Sequence, residues 1–348
     1  MFDIPFINKP LGYVMQFLSD LFGGNFAAAV LVFTILINII MIPLSLKSQK
    51  SSVQQTRIKP KLDELKKRYG DDKQKYNVAM QKLYQEEKVS MSGGCLPMLV
   101  RLVIMMCIYN LILSPVTYMV GVEDKKVENV QNKIYEQMVD LEKSDKKKFD
   151  KISNEINWDA ARFKSYELGL IKIIDNNEDI VKEIMGNKYN TIAEDYEAIV
   201  KQTKKSELDF KLFGSEDLVL YNTPDFTFNF AKAQLLWIIP FGAFLAQILT
   251  SVLSMAIQKR NNPDAPSMAF MMFTMPLISL FIGFGLPGGV GFYWICSSLV
   301  GGLIQAALQY YYDPHKMLAK ERAKELNTRG TFEIKQIEKF SNTTDTDE

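Results

Sequence analysis

The chain has 348 residues, with 41 Lys and Arg against 40 Asp and Glu, for a formal net charge of +1. That balance leaves no electrostatic footprint for DNA. A single histidine, His315, argues against a histidine-based catalytic or metal site. The three cysteines, Cys95, Cys107 and Cys296, stand in apolar blocks without a C-x-x-C pair, so no disulfide framework or zinc site is indicated and no cofactor is expected.

Mean hydropathy is near zero only because very apolar blocks alternate with very charged ones, so the chain is read in windows. Residues 1–25 lack the basic stretch and cleavage site of a signal peptide. Within them, 10–22 predicts an amphipathic helix lying in a membrane interface, with Gly12, Gln16, Ser19 and Asp20 on a narrow polar face. Residues 26–46 form a first apolar span, with Thr34 and Asn38 as its polar members and Pro43 near its end.

Residues 47–92 are polar and basic. From Lys47 to Val89 there are twelve Lys or Arg against six Asp or Glu. Ile58, Leu62, Leu65 and Tyr69 fall at helical spacing. Gly70-Asp71-Asp72 is a turn signal, and Tyr76, Met80, Leu83 and Tyr84 repeat the spacing. Two such helices closing on one seam predict an antiparallel hairpin, ended by Gly93-Gly94.

Residues 95–120 form a second span, and it carries one cation, Arg101. A charge within hydrocarbon costs roughly 2.5–3.5 kcal/mol on insertion scales, so Arg101 must reach water or face a polar cavity. Residues 121–233 are a long polar interruption. Val127, Val130, Ile134, Met138 and Leu141 mark one amphipathic helix in it. Ile180, Val181, Ile184 and Met185 mark another, and Ile192, Tyr196 and Ile199 a third. Residues 122–208 thus predict a small, mostly helical soluble insert, and 209–233 a return along the membrane surface.

Residues 234–257 form a third span, anchored by Trp237, and 258–267 a loop with Lys259 and Arg260. Residues 268–312 hold a fourth and a fifth span around Pro287-Gly288-Gly289. Residues 313–348 are a tail, basic as far as Lys339 and then polar, that predicts partial disorder. The fold expected is therefore an all-α membrane protein with five transmembrane helices, a helical hairpin and a helical insert. With five spans, the basic hairpin, the basic 258–267 loop and the tail share one side. The positive-inside rule makes that side cytoplasmic, with the N-terminus and the insert outside.

At about 1.5 Å per residue, Arg101 lies roughly 10 Å inside the cytoplasmic boundary. Asn38 and Gln305 lie about as deep in their own spans, and Gln247, Thr250, Ser251 and Ser254 occupy the same half of the third. One-sided polarity on four spans points to a cavity open to the cytoplasm and closed outward, with Arg101, Asn38, Thr34, Gln247, Ser251 and Gln305 as its candidate residues. Read singly, an arginine at this depth could snorkel to the headgroups, and Ser, Asn and Gln could simply join helices.

Four stretches in this order resemble the YidC-type membrane protein insertases. They are NIIMIPLSLKSQKS at the end of the first span, KPKLDELKKRYGDDKQK in the hairpin, SGGCLPMLVRLVIMMCIYNLI opening the second span, and MPLISLFIGFGLPGGVGFYWICSSLVGGLIQ over the fourth and fifth. The resemblance covers residues 1–121 and 209–312; the 122–208 insert has no counterpart in it. It implies a non-enzymatic insertase in the bacterial plasma membrane that passes nascent membrane proteins into the lipid bilayer. The ribosome and the Sec translocon are its candidate partners. The family's groove cation falls in the first span, where this chain has Asn38. Arg101 in the second span therefore implies a charge moved to a facing helix.

A solute transporter or channel using Arg101 to bind an anion is the alternative. It predicts polar residues in both leaflets and an internal repeat, and neither is seen. An intramembrane protease needs acids, or a nucleophile and base, and the spans contain no Asp, Glu or His.

Overall fold

The computed structural model describes residues 5–70, 72–87, 89, 96–226, 234–261, 269–311 and short pieces between 319 and 333; at Arg101 the description covers the backbone only. Asp71 of the expected turn, the Gly93-Gly94 break, most of the 258–267 loop and most of the tail lie outside the described residues. Among the described residues the chain is helical, and extended pairing is limited to the isolated bridges Asn25–Asp209 and Lys211–Val219. Contacts divide it into two units. One holds Met1–Ile40, Arg101–Ser251 and Met268–Gly302; the other holds Met41–Val100, Val252–Ser267 and Leu303–Glu348.

In the first unit, helix α1 (Pro5–Leu21) is longer than the spacing predicts. Its expected polar face is turned inward in part: Gly12 and Ser19 are buried and Gln16 half-buried, while Asp20 is exposed. Asn8, Gly12, Met15 and Ser19 are buried, whereas Phe6, Tyr13, Phe17 and Leu21 are exposed. Gly12 explains the inward side, because a Cβ there would lie 2.2 Å from the Tyr118 carbonyl oxygen. Only a glycine lets the two backbones approach so closely.

Helix α2 (Phe26–Ile40) stops at Met41, and α3 (Ile42–Tyr69) begins with Pro43 in its first turn. Proline supplies no N–H and clashes with the carbonyl four residues back, so one helix ends and another starts. α3 then runs without a break across the expected boundary at residues 46–47 into the hairpin. In the second unit, Asp72 caps α4 (Lys73–Glu86) by accepting from the Lys75 N–H at 3.0 Å. Ile58 and Leu83 are the buried members of the expected seam. The two arms are also tied by charge: Arg57 Nη2 lies 3.1 Å from Glu87 Oε2, and Lys61 pairs with the same carboxylate. These cations hold Glu87 below the usual carboxylate range, Lys61 most strongly.

Helix α5 (Leu96–Leu113) breaks at Ser114-Pro115 into a π-helical turn, Val116–Val120. The insert follows as α6 (Asp124–Ser144), α7 (Lys146–Ile156), α8 (Ala160–Ser165), α9 (Leu168–Asn177), α10 (Ile180–Met185) and α11 (Ala193–Lys205). The residues picked out by spacing on α6, α10 and the 192–199 stretch are all buried. Each such side chain contributes roughly 1.5–3 kcal/mol as an upper estimate.

The insert does not stand apart. Its buried residues form one continuous cluster with Met15, Phe26, Phe33, Ile108, Leu111 and Val290. Residues 209–222 are part of that cluster and tie helix starts together. Asp209 O accepts from Phe26 N at 3.0 Å, Asn222 O from Gly288 N at 2.8 Å, and Leu220 O from Gly289 N at 2.7 Å. Helix N-termini leave N–H groups without intrahelical partners, and these carbonyls supply them.

Helices α12 (Ile238–Asn261), α13 (Ala269–Phe284) and α14 (Gly288–Tyr311) complete the chain. Among the described residues, two helices are long and apolar enough to cross a membrane, Leu235–Ile257 and Gly288–Tyr311. A third is counted if Phe26–Ile40 and Ile42–Gln49 are one broken span, and Leu102–Leu113 and Phe273–Phe284 are shorter apolar helices.

Candidate functional site

The polar residues of α2 spend hydrogen bonds on their own helix. Thr34 is 1% exposed, and its hydroxyl donates to Val30 O at 2.7 Å. One turn on, Asn38 Nδ2 donates to Thr34 O at 2.8 Å. Asn38 is only partly buried, and its Oδ1 accepts nothing among the described residues. Thr34 therefore packs, while Asn38 keeps an acceptor free.

On α12, Gln247 and Ser251 are partly buried and sit one helical turn apart. Ser279 Oγ of α13 lies 2.8 Å from Gln247 Oε1 and 2.8 Å from Pro276 O. Ser279 is absent from the sequence-derived set, since a lone serine in an apolar run carries no spacing signal. Thr250 Oγ1 donates to Ala246 O at 2.9 Å. Its methyl carbon lies where a Cβ on Gly302 of α14 would come within 2.3 Å, so α12 and α14 touch closely here.

Arg101 lies on α5, six residues after the helix start at Leu96 counted inclusively, and its side chain is outside the described residues. One turn further, Ile104 is partly buried and Met105 is exposed, whereas Cys107 and Ile108 are buried. Gln305 is partly buried on α14 and belongs to the second unit. Of the six expected residues, the described contacts join Thr34 to Asn38. They join Gln247 to a residue that spacing did not select.

The half of these helices expected to be nearly all apolar and aromatic contains one buried amide, Asn110 of α5, which is 3% exposed. Next to it the insert makes a polar clamp. Glu167 N donates to Leu113 O at 2.9 Å, and the Glu167 carboxylate accepts from the N–H and the hydroxyl of Thr117. Burial pushes Glu167 up to about 7, and the two Thr117 hydrogen bonds oppose that rise. No group of three or more metal-ligating side chains occurs among the described residues.

Comparison with known proteins bears on this arrangement. A family model described as "60Kd inner membrane protein" matches residues 17–182 and 195–316, so the match extends into the insert. A membrane protein insertase YidC of Fusobacterium nucleatum is 41% identical over 96 residues, covering 28% of this chain and 47% of the relative. One from Thioalkalivibrio sulfidiphilus is 38% identical over 113 residues, covering 32% and 20%. A protein named membrane protein insertase YidC 2 in Listeria innocua is 40% identical over 111 residues, covering 31% and 39%. The matched stretch spans less than half the length of each of these relatives.

Proposed function

The chain belongs to the 60Kd inner membrane protein family, to which the YidC-type insertases belong, and on that membership we propose that it inserts nascent membrane proteins into the bilayer. The observation that carries this reading is the family match over residues 17–182 and 195–316. In the proposed arrangement five spans cross a bacterial plasma membrane. The hairpin and tail are cytoplasmic, and the N-terminus and insert are outside. The outward apolar face of α1, with Phe6, Tyr13 and Phe17 exposed, suits a helix seated in the membrane interface.

The proposed working part is a hydrophilic groove entered from the cytoplasm. A polar segment flanking a client span must cross about 30 Å of hydrocarbon, and a groove reaching halfway shortens the dry distance. Arg101 attracts an acidic residue of the client in a low dielectric. Asn38, through its free Oδ1, and Gln247, Ser251 and Gln305 offer hydrogen bonds to the client backbone. Thr34 contributes by holding Asn38. The client's apolar span then moves into lipid, and burial of about twenty apolar residues drives the step without a nucleotide or a covalent intermediate. The membrane potential adds about 2.3 kcal/mol per 100 mV for each acidic charge moved outward. The hairpin is a candidate first contact for clients. The basic tail is a candidate contact for the ribosome, and the Sec translocon a candidate partner.

The test is the reactivity of single cysteines with a membrane-impermeant thiol reagent, in a background with Cys95, Cys107 and Cys296 replaced. A cysteine at position 38 reacts from the cytoplasmic side and one at position 30 does not. Protection of both positions rejects the groove.

A further inference from the structure

A pocket of about 80 Å³, open to solvent, lies between the insert and the chain before α14, with walls that include Trp158, Arg162, Tyr166, Lys172, Asp225 and Pro287. Its charged side chains are unequally paired. Arg162 is forked onto Asp225, with Nη1–Oδ2 at 3.2 Å and Nη2–Oδ1 at 2.7 Å, and its Nε lies 3.4 Å from Asp159 Oδ2. Two carboxylates thus share one guanidinium. Lys172 has no ion pair or hydrogen bond among the described residues, although it is partly buried. Burial holds it below the usual lysine range, with Asp225 opposing that effect and Arg162 adding to it. The pocket therefore presents a half-buried ammonium that makes no hydrogen bond or close ion pair among the described residues, with Asp225 favouring its charge from a distance, beside two carboxylates with acceptor capacity to spare.

Its place in the fold narrows the ligand. Pro287 immediately precedes α14. Phe226, next to Asp225, stacks on Trp237 at 5.5 Å and meets Phe284 at 5.1 Å. Trp237 immediately precedes α12, and Phe284 ends α13. The ends of α12 and α13 thus meet at Phe226, the neighbour of the pocket residue Asp225, and the residue before α14, Pro287, lines the pocket itself. The residues just along these helices, Ile238, Phe241, Phe281 and Ile282, are exposed. A pocket at that level is where the headgroup of a bilayer lipid lies, with acyl chains against those side chains.

We propose that this pocket holds the headgroup of an ethanolamine phospholipid, with its phosphate on the Lys172 ammonium and its own ammonium on the carboxylates of Asp225 and Asp159. The four charged side chains sum to zero, so a zwitterion keeps the site neutral and an anionic headgroup leaves an excess negative charge. An acidic peptide would satisfy Lys172 but would leave the shared carboxylates unused. The inference does not depend on the insertase reading or on which side of the membrane the insert occupies.

The experiment is native mass spectrometry of the full chain in detergent, with ethanolamine, choline and glycerol phospholipids of identical acyl chains. The ethanolamine lipid binds in preference to the glycerol lipid, Lys172→Met lowers its occupancy about tenfold, and Lys172→Arg retains it. Equal occupancy of the unaltered chain and Lys172→Met overturns the assignment, as does preference for the glycerol lipid. Displacement of the lipid by a short acidic peptide also overturns it, in favour of a peptide site. Should Lys172→Met not fold, the unaltered chain is exposed to an ethanolamine lipid with a photoreactive headgroup. Cross-links within residues 156–173 or 221–225 support the site, and cross-links confined to other segments refute it.

Discussion

The Glu167 carboxylate takes both polar hydrogens of Thr117, its backbone N–H and its hydroxyl, and so fastens the insert to the π-helical end of the second apolar helix. Glu167 is 5% exposed, and a half-buried Thr117 N–H left without it would be a donor lacking this partner. Glu167→Ala is expected to destabilise the chain by about 1–3 kcal/mol, read from thermal unfolding in detergent. Thr117→Val, which removes only the hydroxyl, loses less.

The same residue makes stability depend on pH. Its folded value is raised from 4.5 to about 7, chiefly by burial, with the negative charge of Asp124 adding to the rise. The folded state therefore holds the proton more tightly than the unfolded chain. This contribution is full below the unfolded value and is lost as pH rises through the folded one. Melting temperature should fall between about pH 5 and pH 8, and Glu167→Gln should flatten that slope. An unchanged slope in the variant would assign the dependence elsewhere.

Helices α12 and α14 meet at Gly291, where a Cβ would come within 2.6 Å of Ile239 Cγ2. Gly291→Ala is expected to lose about 1–3 kcal/mol by overpacking. Ile239→Ala alone loses about 2–5 kcal/mol by leaving a cavity. Combined, they should lose less than their sum, because the new methyl enters the space vacated, and a double-mutant cycle of unfolding measures the coupling. Strict additivity would place the two helices farther apart.

The proposed relocation of the groove's charge from position 38 to Arg101 predicts that it can be moved back. Asn38→Arg is expected to restore client insertion to a chain carrying Arg101→Gln, since Asn38 is partly buried with a free acceptor rather than packed away. Membrane integration of a client in vesicles reads the rescue. A stably expressed double variant as inactive as Arg101→Gln alone would remove the relocated charge from the account.

Helix faces were legible where one apolar stripe recurs at helical spacing. Val127 to Leu141 lie buried along one side of α6, and Gly70-Asp71-Asp72 falls between the two hairpin helices. Helix α9 was not legible as a helix because Leu168, Leu170, Ile171, Ile173 and Ile174 are buried on several sides, which leaves no stripe to count. The break at Met41 follows from Pro43, but its position could not be told from the end of a span. Contacts between distant segments were not legible at all. Nothing local marks Glu167 as the partner of Thr117, or Ser279 as that of Gln247. The inward placing of Gly12 on α1 needed the carbonyl of Tyr118, 106 residues away, to explain it.

The central claim is that Arg101 receives acidic segments of client chains, and it is tested by paired clients that differ only in the charge of the translocated flank. In vesicles carrying equal amounts of protein, Arg101→Ala should lower integration of the acidic client by about tenfold while the uncharged twin integrates nearly as before. Equal integration of both clients by the variant and the unaltered chain would contradict the account.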